Sequence, residues 1–543
     1  MPADARSWIR LAVVAVALLL GAWLRLRGFA DLPLHGDEYH TLLRGPEHED
    51  LGLVGYGTLL TLFDEVGSHV PLPLLQRLSM DLFGGGMITL RLVAIVPGLL
   101  LLILAYPALR TFVSADASAL ATLALALNPM VVYYSRFARG YALALLLAFL
   151  LGWALRRLLD PSTRSRATWV WLVVAGALLP WVHLSTAGFV LALALAGIAL
   201  AWRESRVLAA RLFGAFALAG MLALALYLPV LSGVLAYFRE MKSEDPPLSW
   251  FGVPTLLAGG RFPAWGLLAL VPAGALLSWR GLRASAVLTI AALLGPLVLL
   301  FATNPRGMDY AWARYILSAL PFLLALAAEA LIEIARRGSA WETPALLLGV
   351  ALLGLQHETG PLGSFAPKDG AFSNTYLALH SLPAFDEPYP QTPEFYRTLA
   401  SDASAQRIVE APPLYTRAVL LYRNYALQHG KEVLIGWPGE MPLGIQGGPY
   451  VRLLELEPGQ ADYIVLHKDQ VAEVPEYFRF VYEDLWPKTR VAADDTFMRR
   501  QETIYGQNLL GAEQIGPVAA RLLARFGPAT YKDADILVWK LAR

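Results

Sequence analysis

Residues 11–24 read LAVVAVALLLGAWL, a run without one charged side chain. Such a run is either the apolar centre of a secretion signal or the body of a membrane span. No small-residue cleavage site follows it, and further apolar runs do. It is therefore expected to stay in the chain as the first span.

The rest of the sequence has the same solvent preference. The 543 residues are 56% hydrophobic and only 16% charged, with a mean hydropathy of +0.49. Soluble domains run nearer roughly 45–50% apolar and about 25% charged. A net charge of +1 offers no basic field, which argues against a nucleic-acid partner. Cysteine is absent, so disulfides, thiolate catalysis and Cys-ligated zinc are excluded.

A span needs about 20 mostly apolar residues. Such runs number about eleven, near 9–28, 87–109, 115–134, 140–157, 168–185, 186–202, 210–232, 263–279, 284–302, 313–332 and 341–356. Cytoplasmic loops carry an excess of Lys and Arg. Alternate loops here do so: Arg6 and Arg10, Arg110, Arg156 with Arg157, Arg164 and Arg166, Arg203 with Arg206, Arg280 with Arg283, and Arg336 with Arg337. That side is expected to be cytoplasmic. The loops 30–86, 133–139, 183–186, 237–262 and 303–315 then face outward, and so does the C-terminus.

From about residue 357 the texture changes, with acids, lysines and prolines returning. Runs 407–410, 433–437, 463–467 and 536–541 have strand character, while 392–403, 417–429 and 516–526 have helical spacing. The expectation is a polytopic α-helical membrane domain over 1–356, with a first outward loop at 30–86, and a soluble extracytoplasmic α/β domain over 357–543. GKEVLIGW and DYIVLHK read as strand edges of that domain, with His429, Lys431 and His467 at its surface and no catalytic constellation. The domain is expected to cover the active face or help select acceptors.

Ionisable groups near membrane depth are costly and mark candidate functional sites. Residues 32–41, LPLHGDEYHT, set Asp37 and Glu38 just past the first span. Adjacent carboxylates can divide base and orienting duties, and His35, Asp37, Glu38 and His40 are candidate ligands for a divalent metal. A solvated acidic loop is the ordinary alternative. Residues 128–143, NPMVVYYSRFARGYAL, place Arg136 and Arg139 at an outward turn. Their planar forks suit phosphate, although snorkelling interfacial arginines look the same in sequence. Residues 306–321, RGMDYAWARYILSALP, put Arg314 and Tyr315 at the outer start of a span, against the inside rule. That suits an anionic headgroup. His69 in HVPLPLL and Arg91 in TLRLVAIVPG form a fourth cluster, and Gly84–Gly86 reads as a turn. No nucleotide-binding or HExxH pattern stands in a suitable context.

In order, these segments resemble the polyprenyl-phosphate-sugar-dependent glycosyltransferases of the GT-C fold, the superfamily of protein O-mannosyltransferases and aminoarabinose lipid A transferases. GDEYHTLLRG is similar to the family's acidic first-loop motif and HVPLPLLQRL to its His-Pro-Pro-Leu segment. LRLVAIVPGLL resembles its second conserved span, NPMVVYYSRFARGYAL its Asn-Pro, Tyr-Ser, Ala-Arg, Tyr-Leu stretch, and ARYILSALP its Arg-Tyr and Pro. The likeness covers roughly residues 9–335. Val70 stands where the family often has the first Pro of its pair, and Arg136 with Phe137 replaces a frequent Gln-Glu.

The resemblance implies an inverting transferase of a hexosyl or pentosyl unit from a polyprenyl-phosphate donor, working in a bacterial inner membrane at its extracytoplasmic face. It implies Asp37 as general base with Glu38 beside it. His69, Arg91, Arg136, Arg139, Tyr141, Arg314 and Tyr315 would hold the donor. The resemblance fixes no cofactor, and a divalent metal is an open alternative. The acceptor, whether glycan, lipid or protein, is not legible. The main rival is a multispan transporter or flippase of an anionic lipid or glycan. Its usual signs, two related halves and broken helices, are not evident in the sequence.

Overall fold

A computed structural model of the chain describes residues 3–27, 38, 54–61, 71–85, 87–240, 252–278, 283–303, 309–338, 348–349, 351–353, 393–411, 425–426, 428–437, 450–468 and 512–541. By contact the chain divides into two compact units. The first comprises Met1–Phe29, Ser68–Leu72 and Arg91–Ser381; the second comprises Ala30–Gly67, Pro73–Leu90 and Leu382–Arg543.

The first unit is helical because its apolar runs leave the backbone no polar partner but itself. Among the described residues 7 helices are long and apolar enough to cross a membrane, or up to 9 if each bent pair is one span. The 7 match the expected runs at 9–28, 87–109, 140–157, 186–202, 210–232, 284–302 and 313–332. The run at 168–185 forms the shorter helix Arg166–Val182. Most of the run at 341–356 lies outside the described residues. Of the two remaining runs, 115–134 is broken, Ala115–Leu127 meeting Pro129–Arg136 at 55°, while 263–279 lies in one helix, Arg261–Ser278, which the short helix Gly252–Ala258, in the stretch expected as loop, meets at 93°. Broken helices are thus present, contrary to the sequence reading. Asn128-Pro129 and Gly259-Gly260 make the breaks, because Pro has no N–H to continue a ladder and Gly259 sits at φ +84°.

Several of the arginine-bearing helix ends are held by ion pairs. Asp116 takes Arg10 Nε and Arg336 Nη2, each at 3.3 Å, and Arg164 reaches Glu204 at 2.9 Å. At the same end Ser114 caps helix Ala115–Leu127, and its backbone N–H and hydroxyl both donate to buried Glu329, at 2.8 and 2.7 Å. Ser165 and Ser205 cap the helices that follow them.

Two devices set the packing. Phe322 is a hub, its ring 5.1 Å from Phe112, 6.0 Å from Phe149 and 6.2 Å from Phe189. Helices Ala187–Glu204 and Arg283–Thr303 cross at Gly188 and Gly295, where a Cβ on either would overlap the other's carbonyl oxygen. Small residues at such crossings let backbones approach where no hydrophobic effect drives association. Outward-facing residues such as Leu19, Leu276 and Phe301, at least 70% exposed, supply the apolar face that lipid requires.

In the second unit, helix Tyr56–Thr61 is tied to helix Pro71–Phe83 by the Tyr56 hydroxyl, which donates to Asp81 at 2.7 Å. Gly84 at φ +87° ends the latter helix, so the turn reading of this glycine holds. A sheet in the order β3-β2-β1-β4-β6-β5 follows: β1 Arg407–Ala411, β2 Glu432–Trp437, β3 Tyr450–Arg452, β4 Tyr463–His467, β5 Tyr531–Lys532 and β6 Ile536–Lys540. The first four strands are parallel and β6 runs antiparallel to β4. All four expected strands are present, while β3 and β5 are too short to have shown a period. Helices Glu394–Ser401 and Ala512–Phe526 fall within or over the runs expected at 392–403 and 516–526; most of 417–429 lies outside the described residues.

Three sequence readings fail in this unit. β2 and β4 are interior strands, each paired on both sides. His429 and His467 are buried, not superficial, and Lys431 is half-buried, its ammonium donating to the Asp402 carbonyl at 2.8 Å. The reason is a polar cluster inside the core, which hydropathy cannot register. Fully buried Glu410 accepts from the Tyr396 hydroxyl at 2.8 and 2.9 Å and lies 2.7 Å from His467 Nε2. Tyr425 stacks on Tyr396 at 4.1 Å and parallel to the His467 ring at 5.9 Å. A buried carboxylate is tolerated only with this much hydrogen bonding.

Candidate functional site

The first unit builds its polar centre at the break after residue 136. Asn128 caps helix Pro129–Arg136, its side-chain oxygen accepting from the Val131 N–H at 3.1 Å. Its amide group donates to the Leu257 carbonyl at 2.7 Å, fastening one bent pair to the other. The helix ends at Phe137, whose backbone is extended, and Tyr141–Leu159 starts at Gly140. Arg139 is carried on this short link, where the Arg139 N–H bonds back to the Phe137 carbonyl at 2.6 Å.

Two further elements converge on the link. Helix Arg166–Val182 ends at His183, whose N–H donates to the Leu179 carbonyl. The His183 carbonyl accepts from the Thr186 hydroxyl at 2.7 Å, and the Ser185 hydroxyl sits 2.7 Å from His183 Nδ1. Helix Asp309–Ile316 brings Arg314 and Tyr315. The His183 ring lies 4.9 Å from Tyr141 and 5.3 Å from Tyr315. The Arg314 guanidinium lies over both tyrosines, 5.7 Å from the Tyr141 ring and 5.1 Å from the Tyr315 ring, and Nη2 donates to the Tyr315 hydroxyl at 3.3 Å. Tyr134 closes the wall, 4.4 Å from Tyr141.

His183 falls between Val182 and Leu184, outside both flanking spans. Burial, followed by the charges of Arg314 and Arg139, holds it well below the usual histidine range. Both guanidinium charges therefore act on this ring. Arg139, Tyr141, Arg314 and Tyr315, the first and last 176 positions apart in sequence, form one cluster with His183. Two cations at an aromatic-walled site of reduced dielectric have the chemistry to hold an anion with several oxygens.

The remaining candidates are placed as follows. Arg136 is buried and donates to the Arg27 carbonyl at 2.8 Å, so at least part of its fork closes the end of the first span. Arg91 is buried on helix Met87–Leu109. In the second unit Glu38 is buried, and its carbonyl accepts from the Gln76 amide at 2.7 Å. His35, Asp37, His40 and His69 lie outside the described residues. Among the described residues no group of three or more His, Asp and Glu could hold a metal ion.

Two residues were not singled out in the sequence. His183 had a signal, a polar HLST between apolar runs on the side of Arg139. Arg25 is fully buried in the first span, with Nε 3.2 Å from the Ser135 hydroxyl and Nη1 donating to the Gly21 and Ala126 carbonyls at 2.8 and 3.2 Å. It joins the first span to both helices of the first bent pair.

Spans, bends and sheet together define a multi-pass membrane protein of the GT-C fold. The fold is that of ArnT from Cupriavidus metallidurans in the apo state, with TM-score 0.52 and 13% identity over 99% of this chain and 98% of that one. ArnT from the same organism bound to undecaprenyl phosphate aligns at TM-score 0.49 and 13% identity, over 89% of this chain and 95% of that one. The archaeal oligosaccharyltransferase AglB from Archaeoglobus fulgidus, in complex with an inhibitory peptide and a dolichol-phosphate, aligns at TM-score 0.46 and 12% identity, over 89% and 72% respectively. No protein-family model and no curated protein sequence matches the chain.

Proposed function

We propose that the protein is an inverting glycosyltransferase that moves a sugar from a polyprenyl-phosphate donor to an acceptor at the extracytoplasmic face of a bacterial inner membrane. The observation that carries this reading is the cluster of Arg139, Arg314, Tyr141 and Tyr315 in a chain of GT-C fold. Residues 1–356 are the catalytic membrane domain and 357–543 an extracytoplasmic domain that shapes acceptor access.

Asp37 takes the acceptor's hydroxyl proton as the oxygen attacks the anomeric carbon from the side opposite the phosphate. The bond to the phosphate oxygen breaks with its electron pair, and polyprenyl phosphate leaves as an anion. Fixed cations stabilise that charge without a proton donor; Arg139 and Arg314 are assigned to this task, with Arg91, Arg136 and His69 in support. The assignment of Asp37 and its neighbour Glu38 rests on the GDEYHT motif.

A second reading, a transporter of an anionic lipid or glycan, is favoured by the two bent helix pairs. Substitution separates the roles. Removing a general base costs about 10²- to 10⁴-fold in rate, so Asp37→Asn is expected to lose that much transfer in proteoliposomes while retaining donor affinity. Arg139→Ala is expected to weaken donor binding itself. Wild-type turnover by Asp37→Asn contradicts the base assignment, and unchanged donor affinity in Arg139→Ala contradicts the phosphate assignment.

A further inference from the structure

His183 belongs to neither the charged ends nor the apolar core of the first unit. It is 5% exposed. Four restraints fix it. Its backbone ends one helix and accepts the Thr186 hydroxyl, its Nδ1 edge meets Ser185 at 2.7 Å, and its ring packs against Tyr141 at a tilt and against Tyr315 in a T-shaped pair. Restraint of one ring nitrogen by a short hydrogen bond is the way a protein selects a tautomer and aims the other nitrogen. The charges of Arg139 and Arg314 act on the same ring, and two guanidinium neighbours disfavour a third positive charge.

We infer that His183 is a third phosphate-binding group of the cluster, a neutral imidazole that donates through Nε2 to a phosphate oxygen held by Arg139 and Arg314. Ser185 positions it. The Ser185 hydroxyl donates to Nδ1, which leaves the ring proton on Nε2. A neutral donor between two cations adds direction to a site whose charge is already supplied. It spares the cost of crowding a third cation into a buried space. The inference rests on the proposed lipid-phosphate reading and names a residue which that reading does not use.

The test measures binding of undecaprenyl phosphate, and separately of undecaprenol, to the full-length protein in nanodiscs. Wild type is compared with His183→Ala, His183→Gln, Ser185→Ala and Arg139→Ala. A hydrogen bond to a charged group is worth roughly ten- to a hundredfold in affinity. His183→Ala is expected to lose about that factor for the phosphate, with a smaller loss in Ser185→Ala and partial recovery in His183→Gln, whose amide keeps a donor. Undecaprenol binding is expected to be unchanged, since the alcohol lacks the group that His183 reads. Equal losses for phosphate and alcohol overturn the inference, because they mark a packing role. A loss in Arg139→Ala without one in His183→Ala and Ser185→Ala overturns it alone. No phosphate-dependent loss in any variant overturns the underlying reading as well.

Discussion

Buried histidines in this chain do different work according to their neighbours. His429 lies in the second unit with its Nδ1 accepting the Lys431 N–H at 3.0 Å and its ring stacked on Tyr396 at 5.7 Å. Burial, and after it the Lys431 charge, pushes its pKa down to about 3. Its neutral form is thus the folded form. Stability from this site is complete above the unfolded value near 6.5 and is lost as pH falls from there toward about 3. By pH 4 the loss is on the order of 3 kcal/mol. His429→Asn keeps an acceptor for Lys431 and removes the titration, so hydrogen exchange of β1 and β2 in the full-length variant is expected to depend less on pH between 7 and 4. Equal pH slopes in the two proteins contradict this account.

The same contrast explains what single residues disclosed in sequence. Arg139, Arg314, Tyr141 and Tyr315 could be singled out because a cation or tyrosine at the start of an apolar run breaks a strong pattern. His183 was weaker, since the partners that give it meaning come from positions 139, 141 and 314. His467 and Glu410 were misread or passed over because each sits in a short strand whose period is set by its apolar residues. Only the fold brings Tyr396 to them.

At the scale of elements, spans were legible wherever an apolar run is long and uninterrupted. The break at Asn128 was not, because hydropathy continues across it even though the helix does not, and the short helix Gly252–Ala258 was missed because it lies in a stretch that read as loop. Close helix crossings were equally invisible, since Gly188 and Gly295 are 107 positions apart and a small residue has no mark of its own. Their contact makes a sharp prediction. Gly295→Val forces side-chain atoms into the Gly188 carbonyl, and overpacking of this kind costs typically about 1–3 kcal/mol. Gly214→Ala is the matched control, because nothing lies within 4 Å of its added Cβ; it is expected to be neutral or stabilising by about 0.5–1 kcal/mol. Thermal melting in detergent checks both, and a Gly295→Val protein as stable as Gly214→Ala contradicts the crossing's role.

For the whole molecule, the order of the motifs carried more than any one of them. The resemblance rested on the order of the acidic loop, the arginine segments and the spans between them, and the backbone has the fold that this resemblance implied. Helix ends that carry arginines meet in ion pairs, Arg10 and Arg336 at Asp116 and Arg164 at Glu204. The second unit's sheet was legible in its longer strands, but the cluster around Glu410 was not, since burial of a carboxylate runs against every hydropathy rule.

The most direct test is transfer itself. Purified full-length protein in liposomes is supplied with a panel of polyprenyl-phosphate sugars and candidate acceptors, and the released polyprenyl phosphate and the anomeric configuration of the product are measured. The account predicts release with at least one donor, inversion at the anomeric carbon, and loss of the activity in Asp37→Asn. Movement of a donor across the bilayer with its sugar–phosphate bond intact, and no transfer from any donor, would contradict it.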